Sequence, residues 1–202
     1  MSLRSDEHRW GAAAKLFHWL TALLIITAGT IGLLMGDMQP SMNKISVFAL
    51  HKSIGLTVLA LFALRLLWRL IDRRPRDQPE PRWQQLAAHA THGVLYLLIA
   101  AIPLSGWLFN SLHGYPLQWF KLFNVPALAD KNEAAGDVAL AVHETLFWTL
   151  VAVLVLHVGA ALKHHLLDRD NVLRRMLPFG RLRHVPPNSA SPPTVRPEGE
   201  SR

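Results

Sequence analysis

Four long apolar runs constrain the fold of this 202-residue chain more than any other feature. Residues 16–35 and 89–112 contain no Asp, Glu, Lys or Arg, while residues 47–67 contain two such residues and residues 138–162 contain one. At about 1.5 Å rise per residue, 20 helical residues reach roughly 30 Å, the thickness of the hydrocarbon core of a bilayer. Because lipid offers no partner to an open backbone, each run is predicted to form a transmembrane helix.

The basic residues lie mainly between these runs and predict how the helices are oriented. Of the 21 Lys and Arg residues, 17 fall in the N-terminal segment, the second connection and the C-terminal tail, and 4 in the first and third connections. Basic residues accumulate on the cytoplasmic side of membrane proteins. We therefore predict an all-α, up-down four-helix bundle with both termini in the cytoplasm. The same distribution argues against a nucleic-acid groove.

The chain contains no cysteine, and this excludes several kinds of cofactor attachment and cross-link. A chain with no cysteine has no covalent c-type haem, thiolate-held iron–sulfur cluster or disulfide. Redox chemistry would then need a non-covalent cofactor, and the 11 histidines become the candidate ligands. Ionisable residues inside a membrane span are costly and are functional candidates by default.

Two histidines on the fourth run share one helix face. His143 and His157 are 14 residues apart, which turns the second to within about 40° of the first and separates them by about 21 Å along the axis. This helix therefore presents one ligand at each membrane depth. The predicted directions place His18 level with His157 near the inner surface, and His51 level with His143 near the outer surface. The inner pair and the outer pair are each predicted to hold one haem between two imidazoles.

Several alternatives stay open. His89 and His92 lie at the inner end of the third run and compete with His18 as the partner of His157. Glu144 is the only carboxylate within the four runs, too few for a di-iron bundle. A transporter that uses the histidines and Glu144 as a proton relay is the remaining non-redox alternative.

Short motifs follow one another in a fixed order between about residues 8 and 178. They are Phe17-His18-Trp19, His51-Lys52-Ser53-Ile54-Gly55, His89-Ala90-Thr91-His92-Gly93, His143-Glu144-Thr145-Leu146, His157 with Ala160-Ala161-Leu162-Lys163-His164-His165 after it, and Asp170-Asn171-Val172-Leu173-Arg174-Arg175-Met176. In this order and spacing the chain resembles the bacterial cytochrome b-561 family of di-haem membrane proteins.

The resemblance implies a function. It implies one haem b on His18 and His157, a second haem b on His51 and His143, and electron exchange with ubiquinone in the bacterial inner membrane. In some members it also implies oxidation of superoxide at the outer face, with His164 as a quinone contact. Lys52, beside an outer ligand, is a candidate contact for a haem propionate or an anion such as superoxide. The alternative is a cytochrome b anchor subunit that relays electrons for a soluble dehydrogenase or hydrogenase.

The sequence predicts one membrane domain followed by a C-terminal tail. Residues 8–178 form the transmembrane cytochrome domain. Residues 184–202, rich in Pro and Ser, are predicted to be a disordered cytoplasmic tail.

Overall fold

A computed structural model describes residues 2–73, 75, 81–179 and 182. The predicted tail, residues 184–202, lies outside the described residues, as does part of the second connection. The long helices are α1 (Ala12–Gly36), α2 (Met42–Ile71), α3 (Arg82–Leu112) and α4 (Glu133–Lys163), followed by a π-helical turn (His164–Asp168) and the short α5 (Val172–Met176). Each of α1 to α4 has the length and the apolar composition needed to cross a membrane, which confirms the predicted four-helix membrane bundle.

Polar side chains mark where two of these helices begin. The Ser41 hydroxyl accepts a hydrogen bond from the backbone N–H of Lys44 at the start of α2 (3.2 Å). The Asn132 side chain accepts one from the N–H of Ala135 at the start of α4 (3.1 Å). Each N-cap satisfies a backbone donor that has no partner within its helix. With these caps, α2 begins at Met42 and α4 at Glu133, each five residues before the start of its apolar run.

The bundle is held together along a narrow apolar seam. Helix α1 packs on α2, α2 on α3, and α3 on α4. Leu95, Leu98 and Leu150 are buried where α3 meets α4. Most other apolar side chains point outward; Leu97 and Val155, for example, are 68% and 67% exposed. Such outward leucines and valines suit contact with lipid, because lipid tails are as apolar as the side chains themselves.

Contacts between distant parts of the chain fix the up-down arrangement. The Ser5 hydroxyl donates to the Asp72 carboxylate just after α2 (2.6 Å). The Lys15 ammonium donates to the backbone carbonyl of Leu177, after α5 (3.1 Å). The start of α1, the end of α2 and the chain after α4 therefore meet at one end of the bundle, here called the terminal end. That this end faces the cytoplasm stays a prediction.

The connection between α3 and α4, residues 113–132, folds over the opposite end and is called the outer loop. It contains an antiparallel hairpin of β1 (Gln118–Trp119) and β2 (Phe123–Asn124). Two side chains of α2 hold this hairpin: Thr57 accepts from the Trp119 indole (3.0 Å), and Ser53 accepts from the backbone N–H of Phe120 (3.0 Å). The outer loop is thus attached to the helix that carries His51.

Candidate functional site

The structure brings the two predicted outer histidines together between α2 and α4. The ring centres of His51 and His143 are 6.3 Å apart, with the ring planes at 81°. The Nδ1 atom of His51 lies 3.0 Å from the carbonyl oxygen of Ala28 on α1. The Nδ1 atom of His143 lies 2.9 Å from the carbonyl oxygen of Ile102 on α3. All four helices therefore contribute to this pair.

These contacts favour one tautomer of each outer ring. A carbonyl oxygen only accepts hydrogen bonds, so each Nδ1 carries the proton and donates it. Each Nε2 is then left with its lone pair, which is the form of imidazole that binds a metal. An Nδ1 hydrogen bond to a backbone carbonyl also fixes ring orientation, as is usual for metal-bound histidine.

Two glycines make room for the outer rings. A Cβ atom built on Gly32 would lie 3.2 Å from Cε1 of His51, and one on Gly106 would lie 3.0 Å from Cε1 of His143. Both are closer than ordinary van der Waals contact, which begins near 3.4 Å. Neither close approach was predicted from the sequence, because a helix pattern does not reveal which neighbouring helix approaches a residue.

The predicted inner histidines also meet, together with a third imidazole. The ring centres of His18 on α1 and His157 on α4 are 6.4 Å apart, with the planes at 57°. The ring of His92 on α3 also lies near that of His157, with ring centres 5.5 Å apart and planes at 71°. Arg65 of α2 is near enough to interact electrostatically with all three rings. His89 is exposed, as is His92, and its Nδ1 lies 2.7 Å from Gln85 O in its own helix.

The distances between ring centres can be compared with the distance expected for two imidazoles that bind one metal ion. With a metal–nitrogen bond of about 2.0–2.1 Å and a ring nitrogen about 1 Å from its ring centre, two rings on opposite sides of one metal have centres about 6 Å apart. The His51–His143 and His18–His157 pairs, at 6.3 and 6.4 Å, fit this value. The His92–His157 pair, at 5.5 Å, is shorter. A haem iron is commonly bound by histidine, so the donor type fits as well.

Lys52, next to His51, joins α2 to the outer end of α3. Its ammonium donates to the side-chain oxygen of Asn110 and to the carbonyl of Pro116, both at 3.0 Å. Asn110 is only 3% exposed and donates in turn to the carbonyl of Tyr115 (2.8 Å). An ammonium has three donors, so one remains for a further acceptor. The sequence did not predict this structural role.

His164 opens the π-helical turn at the terminal end of α4. Its Nδ1 lies 2.7 Å from a carboxylate oxygen of Asp170 and 3.1 Å from one of Asp168. The turn ends at Arg169, whose backbone is left-handed (φ 55°) and returns the chain toward His164. π-Helical turns are uncommon and often occur at functional sites. The carboxylate partners of His164 were not predicted from the sequence.

Comparisons with known proteins find similarity over most of the chain. Residues 9–179 match the family model described as prokaryotic cytochrome b561. The chain is 37% identical over 179 residues to cytochrome b561 homolog 2 of Escherichia coli (strain K12), covering 88% of this chain and 95% of that protein. It is 31% identical over 179 residues to cytochrome b561 homolog 1 of the same strain, covering 85% and 98%. It is 34% identical over 169 residues to a probable superoxide oxidase CybB of Yersinia pestis, covering 81% and 93%.

Proposed function

This chain belongs to the prokaryotic cytochrome b561 family, and we propose that it passes electrons through two b-type haems to the ubiquinone pool. Membership makes it a multi-pass cytochrome b of the bacterial inner membrane that binds haem b and takes part in electron transfer. The proposal adds the number of haems, their ligands, the quinone, and oxidation of superoxide at the outer face.

The outer haem is assigned to His51 and His143. The observation that carries the whole proposal is the agreement between the two imidazole separations, 6.3 Å here and 6.4 Å at the inner pair. The Nδ1 contacts of His51 and His143 to carbonyl oxygens support the assignment, because they leave both Nε2 atoms available.

The inner haem is assigned to His157 with His18. Two imidazoles lie near that of His157, but only the His18–His157 ring separation, 6.4 Å, is close to the 6.3 Å of the outer pair. His92 is then a neighbour of the inner haem and not its ligand. His89 is the weaker alternative, because its ring contacts the carbonyl of Gln85 in its own helix, whereas the ring of His92 lies near that of His157.

The proposed ligands determine the kind of chemistry. Haem b supplies one-electron transfer, with a potential that its axial ligands and surroundings set. Two histidines would hold each haem, and this would leave no coordination position on the iron for oxygen. The protein's contribution is to keep each pair of rings fixed at its depth and to keep water away from them.

Superoxide is the proposed electron donor at the outer face. The name of the Yersinia pestis relative, a probable superoxide oxidase, supports this substrate. Lys52 is the proposed anion contact, because it follows His51 in the chain and, among the described residues, its ammonium binds Asn110 and Pro116 and retains one donor. Each superoxide gives up one electron and leaves as dioxygen.

Ubiquinone is the proposed acceptor at the terminal end, with His164 as its contact. His164 follows His157 by seven residues, about 10 Å along the helix axis. Reduction of a quinone to a quinol takes up two electrons and two protons. The hydrogen bond between His164 and Asp170 connects this position to carboxylates at the surface, through which protons can arrive.

The test uses the purified chain without any partner. We expect two haems b per chain, a low-spin absorption spectrum, and reduction of ubiquinone when superoxide is supplied. Quinone reduction that needs a co-purifying dehydrogenase or hydrogenase subunit would support the anchor-subunit alternative. A preparation that binds no haem would reject the redox function altogether.

A further inference from the structure

A polar cavity lies at the terminal end, between the N-terminal segment and the start of α1. Its volume is about 220 Å³, room for roughly seven waters at about 30 Å³ each. Its lining includes Arg4, Arg9, Lys15, Asp6 and the indole of Trp10. None of the histidines proposed as haem ligands lines it, so it is separate from the haem sites.

The cavity carries a net positive charge. Three of its side chains are cationic, Arg4, Arg9 and Lys15, and one is anionic, Asp6. Two backbone N–H groups, those of His8 and Arg9, donate to Asp6 and hold the pKa of its carboxyl below its usual range. The Asp6 carboxylate thus accepts hydrogen bonds from the backbone. The four charged side chains of the cavity together carry a formal charge of +2.

Lys15 is the side chain in this cavity that most needs an anion. It is 7% exposed, and lysine is almost never so buried unless it is paired. Within the described residues its ammonium has one hydrogen bond, to the neutral carbonyl of Leu177. Arg9 adds electrostatic repulsion, which Asp6 offsets only in part. An anion in the cavity would compensate this buried charge.

The surroundings indicate the source of that anion. The neighbouring residues Leu3 and Leu16 are 62% and 65% exposed and offer apolar surface beside the charges. Trp10, with Arg69 over its ring at 5.8 Å, is suited to the headgroup boundary. Basic pockets at the cytoplasmic ends of transmembrane helices bind acidic lipid headgroups. We infer that this cavity binds the phosphate of an anionic phospholipid, with Lys15, Arg9 and Arg4 as its contacts.

The experiment titrates the haem-loaded protein in detergent with phosphatidylglycerol, phosphatidylcholine or inorganic phosphate, and counts bound molecules by native mass spectrometry. We expect phosphatidylglycerol to bind at least about tenfold more tightly than phosphatidylcholine. Lys15→Met and Arg9→Gln should each weaken phosphatidylglycerol binding about tenfold, the effect of losing one charged hydrogen bond. Lys121→Met is the matched control, since it removes an exposed lysine of the outer loop, and should change nothing.

Folding is checked by the reduced-minus-oxidised spectrum of each variant. Arg9 is exposed, so Arg9→Gln carries the test if the buried Lys15→Met fails to fold. Equal affinity for the two lipids, or an equal loss in Lys121→Met, would overturn the inference. Binding of inorganic phosphate as tight as that of phosphatidylglycerol would overturn the lipid source.

Discussion

The contact between Gly106 and His143 allows a substitution at a residue that is not itself a ligand to report on the outer haem alone. In Gly106→Ala the new methyl would lie 3.0 Å from Cε1 and 3.2 Å from Nδ1 of His143, up to about 0.4 Å inside the 3.4 Å at which ordinary contact begins. The ring must therefore move, and its hydrogen bond to the carbonyl of Ile102 lengthens from 2.9 Å.

The expected size of this effect follows from the cost of overpacking. Extra methyl groups in a well-packed site cost about 1–3 kcal/mol, which corresponds to roughly a 5- to 150-fold loss of affinity for the outer haem. Alanine also favours the helix over glycine by up to about 1 kcal/mol. That gain acts with and without haem, so it does not cancel the loss of haem affinity.

Gly93→Ala is the matched control, because Gly93 lies on the same helix and a Cβ there would meet nothing within 4 Å. The assay measures haem per chain and the rate at which haem transfers to an excess of apomyoglobin. We expect Gly106→Ala to release one of its two haems faster and Gly93→Ala to behave as wild type. Unchanged release in Gly106→Ala, or faster release of both haems, would refute the packing argument.

Three further predictions concern the inner haem, the outer loop and the quinone. His18→Ala should lose the inner haem while His92→Ala keeps both, as measured by haem per chain; the reverse result would make His92 the ligand. Asn110→Ala should lower the free energy of unfolding by about 1–3 kcal/mol, because it removes one acceptor of the Lys52 ammonium; an unchanged melting temperature would contradict this. His164→Gln should slow ubiquinone reduction at least about tenfold with both haems retained, and an unchanged rate would exclude His164 from proton delivery.

The membrane architecture was predictable from sequence because it depends on one simple property. Apolar runs of about 20 residues have few alternatives to a membrane helix. Their spacing also gave the membrane depth of each histidine, and the structure brings His18 to His157 and His51 to His143. Helical periodicity was sufficient here because residues 143 and 157 share both a helix and a face.

The remaining contacts depend on how far each helix rotates about its own axis and on how the loops fold. The nearness of His92 to His157 and of Gly106 to His143 arises from the packing of α3 on α4. The binding of Asn110 by Lys52 needs the end of α3 to reach α2. A sequence pattern specifies none of these distances, since it describes each helix alone.

The assignment of one haem to each imidazole pair is tested by the haem content of His143→Ala and of His157→Ala, each with its reduced-minus-oxidised spectrum. Each variant is expected to keep one haem b per chain, and the two retained haems should differ in their spectra and potentials. Two full haems in either variant, or retention of the same haem in both, would contradict the assignment of one imidazole pair to each depth.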